Sequence, residues 1–252
     1  MEVHHHGHIP MKKKWMEYVF QFFMLFLAVF LGTLAESNRE HRIEGKREKE
    51  YIHSLMEDLR MDIATINTNA DRFTDQYTNI DSLQQSFIDF IDNKPGAEQN
   101  CYYYNEFIKL IWLINFPERT ITQLLSSGNM RLIKTASVAD SIMDYHSFVK
   151  SVDVQKQMYI SYINRCSETM YNFFDIVYLR KRISKYGEFI DDSLLAHAKL
   201  LNTSPVEIKK FLGLIENTKI SIGVYKGLLL QLEERAQALL DFLQRKYNLN
   251  EK

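Results

Sequence analysis

The chain has 252 residues, of which 46% are hydrophobic and 25% charged, with a formal net charge of −1. That balance leaves no broad basic field of the kind that binds nucleic acid. Four prolines and nine glycines leave room for long uninterrupted helices, strand-like alternation is nearly absent, and no GxGxxG, P-loop or HExxH motif occurs.

Residues 1–15 form a tail with His4, His5, His6 and His8, followed by Lys12, Lys13 and Lys14. Neutral imidazoles ligate Zn²⁺, Ni²⁺ and Cu²⁺, which makes these four histidines the candidate metal ligands. The tail offers them no fixed geometry and no outer shell of partners. A polar segment at a membrane surface accounts for it as well, and no cofactor is expected.

Tyr18 to Ala35 reads YVFQFFMLFLAVFLGTLA, 18 residues without a charge. A helix of that length spans roughly 27 Å, close to the ~30 Å of bilayer hydrocarbon. Eleven of the 18 are Leu, Val or Phe, together worth roughly −3 to −6 kcal/mol of insertion free energy. That outweighs Gln21, which lies near one end. Residues 16–36 therefore read as a transmembrane helix, with Trp15 at the headgroups and Lys12, Lys13 and Lys14 at the phosphates. The competing reading is a secretory signal cleaved after Thr33-Leu34-Ala35. The apolar run is longer than the roughly 7–15 residues of a signal core, and it flows into a helical pattern without a proline.

Glu17, Gln21, Ala28, Gly32 and Ala35 recur at spacings of four, seven, four and three, hence on one stripe. Ala28 and Gly32 form a small-xxx-small pair that lets helix backbones approach in lipid. Gln21, Ala28, Gly32 and Ala35 are thus the expected packing face, for a second copy or for another membrane protein. Glu17 lies away from the bilayer centre, where coupling carboxylates usually sit.

Lysine and arginine mark the cytoplasmic flank. By count, Arg39, Arg42, Lys46, Arg47 and Lys49 favour the C-terminal side, yet Glu36, Glu40, Glu44, Glu48 and Glu50 match them at helical spacings. The short lysine-bearing tail looks like a signal anchor. The expected topology is a single pass through a bacterial inner membrane, with a cytoplasmic N-terminus and a periplasmic domain. Cys101 and Cys166 leave open a single disulfide, allowed outside the cytoplasm, and two buried thiols.

Residues 37–252 read as one helical bundle domain. The first helix continues from the span, with Gly45 its one weak point. Ile52, Leu55, Leu59, Ile63, Ile66, Ala70, Phe73, Tyr77, Ile80, Leu83, Phe87 and Ile91 step by threes and fours as its seam. Asn93-Lys94-Pro95-Gly96 ends it. CYYYNEFIKLIWLI predicts a short helix, Pro117 the first position of another, and Gly128-Asn129 its end. A long pattern follows from about Ser137 to Arg182. Ser204-Pro205-Val206-Glu207 reads as a capping box opening a last helix to about Tyr247. The expected fold is all-α: one N-terminal transmembrane helix continuing into an elongated antiparallel helical bundle.

Little in this domain points to chemistry. His41 and His53 lie among glutamates, and His146 and His197 stand in helical patterns without a companion ligand. Asp191-Asp192 and Glu233-Glu234 point to different sides of a helix, so neither makes a catalytic pair. Tyr102, Tyr103, Tyr104, Trp112 and Phe116 fit a core better than a ligand pocket. Gly128, Asn129 and Arg131 mark a loop that serves either as a helix cap and restart or as a recognition loop.

VHHHGH, KKKWMEY, MLFLAVFLGTLAE, NREHR and REKEYIHSLMEDL occur in this order over residues 3–59, with TITQLLSSGNMRLI at 120–133. Together they resemble an uncharacterised family of bacterial single-span membrane proteins with a His-rich tail and a helical C-terminal domain. The resemblance implies that architecture and no activity.

The resulting expectation is a non-catalytic, membrane-anchored scaffold or interaction subunit in a multi-chain envelope assembly. Its partners are the lipid bilayer and either further copies or another membrane protein, with no nucleic acid. The alternatives are a subunit of an oligomeric pore or ion-coupled complex, turning on Glu17, and a small-ligand sensory bundle, turning on the aromatics from Tyr102 to Trp112.

Overall fold

The structure is a computed structural model that describes residues 11–177 and 197–248, with side chains from Trp15 onward. The described chain is all-α: helices and 3-10 turns with no strand. It divides into two compact units, Met1–Ile52 and His53–Lys252, each described by itself.

Helix α1 runs Met11–Ile91, an interval without proline. It closes in a Schellman arrangement. Asn93 turns left-handed at φ 59°, Lys94 N–H donates to the Asp89 carbonyl at 2.9 Å, and Asn93 N–H donates to the Phe90 carbonyl at 3.1 Å. Pro95 then bars continuation.

In the first unit every residue from Trp15 to Ile43 is exposed. Among the described residues, α1 alone is long and apolar enough to cross a membrane, and none of its apolar window is buried in protein. The polar atom of Thr33 is satisfied within the helix, its hydroxyl donating to the Phe30 carbonyl at 2.8 Å. The following turns carry exposed pairs such as Glu36–Arg39 at 2.6 Å and Lys46–Glu50 at 3.7 Å, which contribute little stability in water.

The second unit contains the remainder of α1, then α2 (Ala97–Tyr104), α3 (Arg119–Ser126), α4 (Ala136–Met170) and α5 (Pro205–Tyr247). Two aromatic clusters join α1 and α5 to α4 and to the turn that follows it. Phe73 meets Tyr225 edge-on at 5.4 Å and Tyr159 at 5.9 Å, while Tyr159 and Tyr225 stack at 5.1 Å. Phe87 packs edge-on against Phe173, Phe174 and Phe211. Each contact of this kind adds about 1 kcal/mol to the burial of the rings.

The bonded pairs fix helix order. Tyr145 bonds Asp62 and Tyr159 bonds Gln76, so α4 climbs with α1. Gln84 bonds Glu216, Lys219 bonds Gln84 and Asp81, and Lys226 bonds Thr74, so α5 descends along α1. Strict antiparallel alternation is therefore not what joins α1 to α4. The reason lies in residues 110–118, a strap without regular secondary structure. It leaves the level of Gln76, which donates to the Leu110 carbonyl at 2.6 Å. It arrives at Asp58, which receives Thr120. Eighteen helical residues rise roughly 27 Å, and nine extended ones reach roughly 30 Å. The strap brings the chain back, and α4 starts again in the direction of α1.

Several expected boundaries move. CYYYNEFIKLIWLI is helical only to Tyr104, followed by a 3-10 turn at Asn105–Lys109 and then the strap. Pro117 precedes the cap of α3, Glu118, rather than opening the helix. The pattern expected to reach Arg182 stops as a helix at Met170, and residues beyond 177 lie outside the described part. Ser204 does cap α5 with Pro205 behind it, but its side chain makes no capping bond.

Candidate functional site

The expected site residues remain separate. His4, His5, His6 and His8 lie outside the described residues, as do the side chains of Lys12, Lys13 and Lys14 and the pair Asp191-Asp192. Trp15, Gln21, Ala28, Gly32 and Ala35 are all exposed on α1, and a side chain at Gly32 would meet nothing within 4 Å. Gly128 is left-handed at φ 65° and opens the 3-10 turn Asn129–Leu132, with Arg131 exposed on it. Cys101 and Cys166 are both buried free thiols. Burial pushes both up, Cys166 to about 12, which leaves them protonated and poor nucleophiles.

The aromatics from Tyr102 to Phe116 turn to different partners. Tyr102 is buried, and its hydroxyl donates to the Lys199 carbonyl at 2.7 Å and accepts Asp175 N–H at 3.1 Å. The Trp112 ring lies under the Arg72 guanidinium at 5.0 Å, and the Trp112 backbone N–H donates to the Tyr159 hydroxyl at 3.1 Å. Tyr103 points outward. These rings fasten loops to helices.

What the fold assembles instead is a buried polar cluster where α1, the N-terminus of α3 and α4 meet. Asp58 is only 3% exposed. Its Oδ1 accepts Arg119 Nε–H at 3.0 Å; its Oδ2 accepts the Thr120 hydroxyl at 2.6 Å and Thr120 N–H at 3.3 Å. Glu118, in the capping position of α3, makes no side-chain capping bond. A carboxylate from α1 thus caps α3 from another element and complements its positive end.

One turn later, Asp62 is equally buried. Its Oδ2 accepts the Tyr145 hydroxyl at 2.6 Å, and its Oδ1 has no partner. Burial is the leading influence on this carboxyl and raises it to about 7; Tyr145 opposes the rise, and the charges of Asp58 and Glu118 add to it. Burial also pushes the Tyr145 phenol up, so it stays a neutral donor. Glu118 accepts Lys150 Nζ–H on Oε2 at 2.7 Å. Its Oε1 lies 3.4 Å from His146 Nδ1, near enough for an ion pair with a protonated imidazole, and accepts no hydrogen bond. His146, expected to stand alone, therefore faces an acid. Asp62, Glu118, Tyr145 and His146 line one cavity of about 20 Å³, walled by Leu55, Phe116 and Val149, which is room for about one water.

Sequence reading passed over this cluster because an apolar seam counts only apolar residues. The available signal was Asp58 and Asp62, two acids at i,i+4 between Leu55, Leu59 and Ile66. Like charges at that spacing repel on a solvated face and are costlier inside. Among the described residues no group of three or more His, Cys, Asp or Glu is arranged to hold a metal ion. No protein-family model, curated protein or solved structure matches this chain.

Proposed function

We propose that this protein is a membrane-anchored, non-catalytic helical scaffold: α1 lodges residues 16–36 in a bilayer, and the helical domain acts as an interaction module in a multi-chain envelope assembly. One observation carries the reading. An 18-residue apolar window on α1 has no protein cover, and roughly 25 cal/mol per Å² of exposed apolar surface must be removed from water by something. Lipid is the cover that suits a helix apolar on nearly every side. The stripe of Gln21, Ala28, Gly32 and Ala35 is the surface through which we expect the span to dock on a second copy or another membrane protein. The N-terminus is proposed to face the cytoplasm and the helical domain the periplasm. The three long helices form a bundle in which α1 and α4 run together and α5 runs opposite.

Alkaline extraction of membranes from cells making the full chain tests anchoring. The protein is expected to stay in the pellet, and recovery of a soluble chain beginning at Glu36 would overturn the reading. Cross-linking in detergent then tests assembly, with a multi-chain species expected and Gly32→Leu expected to reduce it. A strictly monomeric protein insensitive to that change would remove the scaffold part of the proposal.

A further inference from the structure

Two carboxyl oxygens in the second unit, Asp62 Oδ1 and Glu118 Oε1, are buried and accept no hydrogen bond, and both residues line the same 20 Å³ cavity. Two carboxylates lining one nearly dry space are costly, even with Glu118 ion-paired to Lys150 and close to His146. Such pairs are relieved when one of them holds a proton. The cations nearby pair with the other acids: Arg119 with Asp58 and Glu57, and Lys150 and, when protonated, His146 with Glu118. Asp62 is 3% exposed, and the one hydrogen bond it receives comes from a neutral phenol.

We propose that this cavity is a proton-binding site in which Asp62 takes the proton on Oδ1, directs it into the cavity lined also by Glu118, whose Oε1 accepts no hydrogen bond, and keeps the Tyr145 bond on Oδ2. The ligand is a proton from solvent, with at most one water between the two carboxyls. The bound proton fastens α4 and the start of α3 to α1. Its loss places a second anion beside Glu118 and Asp58 and loosens that junction. The titratable groups lining the cavity with Asp62 are Asp58 on its own helix, Glu118 before α3, and Tyr145 and His146 on α4. Of these, the two acids disfavour ionisation of Asp62, and burial does so more strongly.

The direction with pH follows. An ordinary Asp carboxyl titrates near 3.8 and this one near 7. From about pH 4 to about pH 7 the unfolded chain has lost a proton that the folded chain keeps, so stability falls as pH rises through that window and levels off above it. The full span corresponds to about a thousandfold in the folding constant.

The test uses the full chain in detergent, unfolded with urea from about pH 5 to about pH 8. Asp62→Asn keeps the shape, accepts from Tyr145 and offers an N–H to the cavity. The wild-type midpoint is expected to fall relative to that of Asp62→Asn as pH rises, with the variant the more stable at the alkaline end. In infrared difference spectra, a protonated-carboxyl carbonyl band should vanish near neutral pH in the wild type and be missing from the variant. Glu118→Gln, which removes the neighbouring charge, should move that transition to lower pH. A stability difference between wild type and Asp62→Asn that does not change with pH, or a band identical in both, overturns the proposal. Should Asp62→Asn not fold, an unshifted transition in Glu118→Gln overturns it alone.

Discussion

Asp58 shows how much a single buried acid organises. Three donors converge on it, two of them from Thr120 at the open end of α3, so removing it strands a backbone N–H and a hydroxyl, both on the buried Thr120. Asp58→Ala is expected to destabilise the protein by about 3 kcal/mol, and Asp58→Asn by less, because the amide oxygen still accepts one donor. Urea unfolding of the full chain in detergent measures both. If Asp58→Ala costs no more than an exposed substitution, the cross-element cap is not holding α3. Residue-scale legibility was uneven. The seam period in α1 is right where Leu59, Ile66, Phe73, Ile80, Leu83 and Phe87 are buried. It misses where Ile63 is half-buried and Tyr77 exposed while Asp62 and Gln76, one position earlier, lie inside. A one-residue shift turns a helix position by about 100°, and apolar counting chose the wrong neighbour because the interior residue was polar.

At the scale of elements, the strap is the segment whose form was least visible. Its apolar residues have helical spacing, yet its carbonyls and N–H groups are met by side chains far away in sequence. Gln76 donates to the Phe107 and Leu110 carbonyls. The Tyr159 hydroxyl accepts Trp112 N–H and shares its own hydrogen between Gln76 and the Leu110 carbonyl. Lys156 reaches the Ile114 carbonyl at 3.3 Å. Tyr159→Phe keeps the ring contacts with Phe73 and Tyr225 and deletes only the hydroxyl. The expected loss is about 1–3 kcal/mol, with faster amide exchange at Trp112. Tyr159→Ala adds the cavity left by the ring and should cost about 3–5 kcal/mol. Equal losses in the two variants would mean that the hydroxyl, not the ring, carries the contribution of Tyr159. The helix ends, by contrast, were visible, because Asn93-Lys94-Pro95-Gly96, Gly128 and Ser204-Pro205 act through their own backbone geometry.

For the molecule as a whole, anchoring turns on whether lipid accepts the apolar stretch of α1. An arginine at Leu27, midway along it, costs about 3 kcal/mol at the bilayer centre. Leu27→Arg is therefore expected to shift a substantial share of the chain out of the alkaline-resistant membrane fraction, whereas Leu27→Ile should leave the distribution unchanged. Equal partitioning of the two variants would contradict a spanning helix. The sequence alone determined the all-helical class, the apolar stretch and most helix boundaries, since hydrophobic period and turn chemistry act over a few residues. Only the tertiary structure decided that α4 runs with α1, that residues 110–118 are not helical, and that Asp58, Asp62 and Glu118 meet. Those outcomes depend on which distant groups can satisfy a buried polar atom, and local spacing does not contain that information.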